Sequence, residues 1–264
     1  MSKIMKEQAC GILYEASAYT HTIMPNDPPK VREKKQQAIT AAKREINKRQ
    51  AELTMMRYIC LNYRAGRDWF LGVDIAGPPP TRDEVKQHLS KFLRDMRREY
   101  KRHGKELKYI WVIEEHDREG IGVRMHAHLI INALGYDADG RPLDHAAFAK
   151  CWTAGDYTAR RLDGADDVFR DTCEYMLKTY KDKPHGARCW SHSKNLIKPD
   201  KPVREWVPDT ARLEVPPGVK LIRRFGDENQ FGGYEYMIGR IVDIKAFRRY
   251  CNKRDRMRNK RRNR

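Results

Sequence analysis

The sequence predicts an α+β fold: a central antiparallel sheet of about five strands, helices packed on one face, and an irregular C-terminal extension. Three observations point there. The candidate elements run strand, strand, helix, strand, strand, helix, helix. Residues 108–115 (KYIWVIEE) are aromatic and β-branched almost throughout, the composition of a pleated, half-buried strand. Val85, Leu89, Phe92, Leu93 and Met96 recur at helical spacing, giving an apolar face that can cover such a sheet.

Each element has a local reason. Residues 1–24 are mixed and carry no clear period, and Pro25-Asn26-Asp27-Pro28-Pro29 breaks the chain. Residues 30–53 are good helix formers with a thin apolar stripe of Ile39, Ala42, Ile46 and Leu53. Residues 57–63 and 69–75 read as strands joined by a hairpin loop around Gly66. Pro78-Pro79-Pro80 ends the second, and Thr81 with Glu84 forms a capping box for a helix running to His103 and stopped by Gly104. A second strand, 124–132, follows 108–115 across a glycine-containing loop, then helices at 144–152 and 166–181. Beyond Pro184 the chain is irregular, with short strands at 220–225 and 233–238. The resulting division is a helical N-terminal extension (1–54), a main domain (55–200), an extension with short strands (201–246) and a basic tail (247–264).

Composition narrows the partners. The net charge is +18 in 264 residues, with a pI near 9.7 and a mean hydropathy of −0.85. Such an excess suits polyphosphate, although ribosome-bound and membrane-surface proteins share it. Six cysteines without a CxxC pair argue against a zinc ribbon and for reduced thiols. No signal peptide and no apolar run of membrane-spanning length can be read, so a cytoplasmic protein without a membrane partner is expected.

The run Met125-His126-Ala127-His128-Leu129-Ile130-Ile131 carries the sharpest chemistry. Alternate strand residues share a face, so His126 and His128 project together while Met125, Ala127, Leu129 and Ile131 face the core. The histidine face is expected to look outward, toward solvent or a ligand. Two imidazoles so placed can share a divalent ion, and phosphate chemistry with Mg²⁺ or Mn²⁺ calls for a hard anionic ligand as well. If 108–115 and 124–132 pair as a hairpin, Glu114 falls beside both histidines, and Glu115 points to the other side unless a bulge exchanges the two.

A second informative run is Cys173-Glu174-Tyr175-Met176-Leu177-Lys178-Thr179-Tyr180-Lys181. Tyr175 and Lys178 lie three apart and share a helical face. A phenol with a pKa of about 10 is a poor nucleophile at neutral pH, and a cation one turn away lowers the cost of the phenolate. The alternative is that Tyr175 simply packs as an amphipathic-helix residue.

Taken together the motifs resemble the HUH endonucleases, in particular the rolling-circle replication initiators of plasmids and phages. Trp69-Phe70-Leu71-Gly72-Val73-Asp74-Ile75 is similar to the first strand motif of that family. Trp111 to Glu114 with Met125 to Ile131 is similar to its glutamate and metal-binding motif, and Tyr175-Met176-Leu177-Lys178 to its nucleophile motif. The stretch Trp190 to Pro199 also resembles one that follows the tyrosine in phage-type members. The resemblance spans about residues 55–200. It implies an RRM-like sheet, His126, His128 and Glu114 as ligands of Mg²⁺ or Mn²⁺, Tyr175 as nucleophile and Lys178 as its assistant. The implied reaction nicks and rejoins single-stranded DNA at an origin hairpin through a covalent 5′-phosphotyrosine. Two departures matter. Position 179 is Thr, and the next tyrosine is Tyr180, which favours a single-tyrosine mechanism. No Gly-x-x-x-x-Gly-Lys-Ser/Thr loop is present, so a separate helicase and polymerase are implied.

Arg124, Lys181 and Lys194 are further candidates for strand contacts, Trp190 for base stacking, and Arg248, Arg249, Arg261 and Arg262 of the basic tail for phosphate binding. Two other readings stay open: a mobilisation relaxase or single-tyrosine transposase with the same chemistry, and a basic nucleic-acid-binding protein with no catalysis.

Overall fold

The computed structural model describes residues 2–20, 28–116, 122–178, 190–229 and 232–262, the side chains of 2, 35–49, 116, 227–229, 232 and 259–262 excepted. The fold is α+β, with two antiparallel five-stranded sheets, and the chain divides into two compact units. One comprises Asn62–Ala165 with Phe169–Ile197; the other comprises Met1–Leu61, Asp166–Val168 and Lys198–Arg264.

The first unit holds the sheet expected from sequence. Its strands are β3 (Trp69–Val73), β4 (Tyr109–His116), β5 (Gly122–Ile131), β6 (Tyr157–Arg161) and β7 (Ser191–His192), in the order β6-β3-β5-β4-β7. β5 is central because it is apolar on both sides at its C-terminal end. Trp69, Leu71, Val73, Tyr109, Ile113, Ala127, Leu129 and Ile131 line one face. That face is covered by α2 (Arg82–Arg102) and α3 (Leu143–Cys151). The α2 start is the predicted capping box, with Thr81 and Glu84 satisfying each other's backbone N–H groups. Val85, Leu89, Phe92, Leu93 and Met96 are all buried, as their spacing requires. Phe92 meets Trp152 edge-on, ring centroids 5.6 Å apart.

The opposite face of this sheet receives α4 (Arg170–Leu177). The helix predicted over 166–181 is divided. A 3-10 turn occupies Ala165–Asp167, and Val168 and Phe169 then take left-handed φ values of 57° and 63°. That conformation is sterically costly for a residue with a Cβ, most of all for a β-branched one such as Val168. The chain is thereby redirected before α4 begins.

The second unit was not legible as a sheet. Residues 2–20, assigned to a helical extension, form β1 (Ser2–Cys10) and β2 (Leu13–Thr20). They pair with β8 (Val203–Pro208), β9 (Val219–Asn229) and β10 (Gly232–Ile241) in the order β8-β1-β2-β10-β9, so both ends of the chain build one sheet. The hairpin between β1 and β2 turns at Gly11, whose φ is +60° and whose missing Cβ would collide with the Cys60 carbonyl. Helix is present only from Pro29, as α1 (Pro29–Asn62), which continues through the stretch expected to be the first strand, 57–63. Arg57 of α1 binds buried Glu15 of β2 at 2.6 Å. The basic tail is helical, as α5 (Ile244–Arg262). Its Phe247, Tyr250 and Cys251 pack on the sheet face formed by Tyr14, Ala16, Ala18 and Met237, and Arg254 and Arg258 pair with Glu7 and Glu205. Among the described residues no helix is long and apolar enough to cross a membrane.

Truncating Phe92 to alanine should cost about 3–5 kcal/mol by leaving a cavity beneath Trp152. The midpoint of urea unfolding followed by tryptophan fluorescence checks this.

Candidate active site

β4 and β5 pair so that Glu114 stands opposite His126 and Val112 opposite His128. The register places Glu114, His126 and His128 on the face away from α2 and α3, as the two-residue period requires. A bulge follows Glu114, but it does not exchange the two carboxylates: Glu115 pairs with Arg82 at the start of α2.

The three ligand atoms converge. His128 Nε2 lies 2.8 Å from Glu114 Oε2, His126 Nε2 lies 3.3 Å from the same oxygen, and the two Nε2 atoms are 3.1 Å apart. Ligands about 2.1 Å from one ion and at right angles to one another would lie about 3.0 Å apart. The triangle therefore fits one divalent ion held on one side, leaving its other side for other ligands. His126 is set for this role by its tautomer. Its Nδ1 is 2.9 Å from the Arg124 carbonyl, to which only an N–H can donate, so Nε2 presents a lone pair to the cluster. The carboxylate and two imidazoles suit a borderline or hard divalent cation, and these residues are the group among those described that could hold a metal ion.

α4 adds two more groups. Tyr175 Oη is 3.3 Å from His128 Nε2. Lys178 Nζ donates to Glu114 Oε1 at 2.7 Å and sits 4.2 Å from the centre of the Tyr175 ring. The face is thus not open as expected: α4 leaves His128 only 6% and Glu114 only 5% exposed. Phe70 of β3 fixes the packing, stacking on His128 at 5.5 Å and meeting the Tyr175 ring at 6.0 Å. Its role went unread because the strand motif containing it was taken as a unit, without separating its two faces. Gly72, opposite His128 on β3, leaves room beside the imidazole.

Burial by itself would raise the Glu114 carboxyl, but hydrogen bonds from His128 and Lys178 and the nearby His126 bring it down to about 2. Burial holds the His128 imidazole below its usual range, with the hydrogen bond to Glu114 only partly opposing this.

The remaining predicted residues are dispersed. Arg124 is held by carbonyl oxygens of Ile75, Gly77 and Pro78 on the loop after β3. Trp190 packs against His192 at 5.2 Å, and Lys194 is exposed. Arg248 and Arg249 are exposed on α5, in the other unit. Lys181 and Tyr180 lie outside the described residues, as do the side chains of Arg261 and Arg262.

Comparison with known families gives one match. Residues 56–180 match a family of replication-associated proteins, described by its member ORF2. The span is just under half of the chain and contains Glu114, His126, His128, Tyr175 and Lys178. Neither curated proteins nor solved structures gave a match.

The buried carboxylate and imidazole make the metal-free protein acid-sensitive in a defined direction. Glu114 has a folded value of about 2 against an ordinary 4.5. It therefore stabilises the fold above about pH 4.5 and loses that contribution as pH falls toward 2. His128 has the same sign: its contribution is complete above about pH 6.5 and is lost as pH falls through the depressed value. In chelator, Tm should fall on acidification below about pH 6.5 and again below about 4.5. Glu114→Gln should abolish the lower step, as thermal scans across pH would read.

Proposed function

We propose that this chain is a metal-dependent nuclease of the HUH type that nicks and rejoins single-stranded DNA through Tyr175, acting as a rolling-circle replication initiator. The observation that carries the reading is the meeting of the Tyr175 hydroxyl with Glu114, His126 and His128 on one sheet face. The match of residues 56–180 to a replication-associated family supports the setting. The net charge of +18 supports a polyanionic partner. We assign the reaction to residues 55–200, with DNA replication completed by a separate helicase and polymerase.

Glu114, His126 and His128 would hold Mg²⁺ or Mn²⁺, and such an ion supplies Lewis-acid polarisation of the scissile phosphate. The protein supplies the rest. Phe70 and His128 set the position of the Tyr175 ring, so the phenolic oxygen is aimed at a phosphate lying over the cluster. The Lys178 ammonium beside that ring lowers the cost of the phenolate as the phenolic proton leaves to water. The tyrosine oxygen forms a bond to phosphorus, the bond from phosphorus to the 3′ oxygen breaks, and that oxygen takes a proton from water. The products are a 5′-phosphotyrosine and a free 3′-hydroxyl. Attack by a 3′-hydroxyl on the phosphotyrosine reverses the sequence and rejoins the strand.

A randomised single-stranded DNA pool with Mn²⁺ should yield a denaturation-resistant protein–DNA species. It should vanish in Tyr175→Phe and in chelator; persistence in the variant would overturn the nucleophile assignment. Calorimetric titration with Mn²⁺ should give one site, weakened at least about tenfold in His126→Ala, and an unchanged affinity would overturn the ligand set.

A further inference from the structure

Strand β6 forms an edge of the sheet that carries the site, next to β3. Its register sets Arg160 beside Phe70 and Thr158 beside Gly72, in line with Ile130 and His128 of β5. Arg160 therefore projects on the same face as Glu114, His126, His128 and Tyr175. Its guanidinium carbon lies 4.8 Å from the centre of the Phe70 ring, and that ring is the one packed on both His128 and Tyr175.

The two adjacent arginines of β6 have different employment. Arg161 projects on the other face, where its guanidinium lies 3.8 Å from the centre of the Trp69 ring and donates to the Arg67 carbonyl. Arg160 is exposed, and among the described residues it meets no carboxylate. A guanidinium stacked on an aromatic ring has its orientation fixed while its N–H groups remain directed outward in the ring plane. Such a fork binds two oxygens of a phosphate. The site's other cation, Lys178, already has its ammonium on Glu114.

We propose that Arg160, held on Phe70, is a phosphate clamp of the site: it binds a non-scissile phosphate of the single-stranded polynucleotide whose neighbouring phosphate lies over the metal cluster and Tyr175. Strand polarity and register at the tyrosine would then be set by a contact on the β6 edge. The placement beside Tyr175 rests on the function proposed above, but anion binding by Arg160 does not require it.

The test separates the two. Fluorescence anisotropy of a labelled single-stranded oligonucleotide, in chelator and across a salt series, reads binding without chemistry. Arg160→Ala should weaken binding about tenfold at low salt and make the logarithmic salt slope shallower by about 0.7, the value of one phosphate contact on a single strand. Arg160→Lys should restore the slope while leaving part of the affinity lost, because an ammonium lacks the planar fork. With Mn²⁺, Arg160→Ala should raise KM for adduct formation far more than it lowers kcat, and calorimetry should show unchanged Mn²⁺ affinity. An unchanged slope and affinity in Arg160→Ala would overturn the clamp even if the wild type nicks DNA. A reduced slope in a wild type that forms no adduct would uphold the clamp and overturn the nicking reading. A fall in Mn²⁺ affinity in Arg160→Ala would show a role in holding the cluster together and also overturn it.

Discussion

The site is organised around the burial of one carboxylate. Glu114 is almost wholly removed from water, and an ionised carboxyl in that position is costly unless donors surround it. The donors come from two elements: His128 of β5, and Lys178 at the end of α4. One anion thereby ties the central hairpin to the helix carrying the tyrosine. Breaking any of these contacts would leave a charge uncompensated, so the geometry of the tyrosine and of the histidines is coupled through Glu114. The same contacts explain why the carboxyl remains ionised despite its burial.

Much of this was legible because it depends on short-range periodicity. The two-residue alternation of a strand separates His126 and His128 from Ala127 and Leu129, and pairing of neighbouring strands brings Glu114 to them. Helical spacing puts Tyr175 and Lys178 on one face, and Thr81 with Glu84 marks a helix start. What was not legible depends on distant partners. Residues 57–63 contain Tyr58, Ile59 and Cys60, a short apolar run that suits strand or helix equally; continuity with the preceding helix decides it, and Met55, Met56, Ile59 and Cys60 become one buried face. The second sheet pairs β1 with β8 across nearly the whole chain, a contact that no local pattern announces. The division of the helix at Val168 and Phe169 goes against the intrinsic preference of both residues, so sequence reasoning reads straight through it.

Net charge also proves a coarse guide to where a polyanion is bound. Many cations of this chain are already engaged: Arg57 with Glu15, Arg82 with Glu115, Arg124 with backbone carbonyls, Arg258 with Glu205. They stabilise loops and buried acids. What distinguishes Arg160 is not its charge but its orientation, since an aromatic ring holds it in place and no acid among the described residues neutralises it. The expected outward-facing histidine surface is likewise replaced by a cleft partly roofed by α4, a setting in which solvent is reduced and each charge acts more strongly.

Gly72 shows how narrowly the fold and the chemistry can diverge. Strands disfavour glycine, so replacing it with alanine would by propensity strengthen β3. A methyl there would stand 2.9 Å from Thr158 Oγ1 and 3.7 Å from His128 Nδ1, and would crowd a ring whose tilt aims Nε2 at the cluster. The buried Nδ1 has no hydrogen-bond partner among the described residues to hold the ring against such a push. At this one position, selection for stability and selection for activity pull in opposite directions, and the trade is made over a single carbon atom.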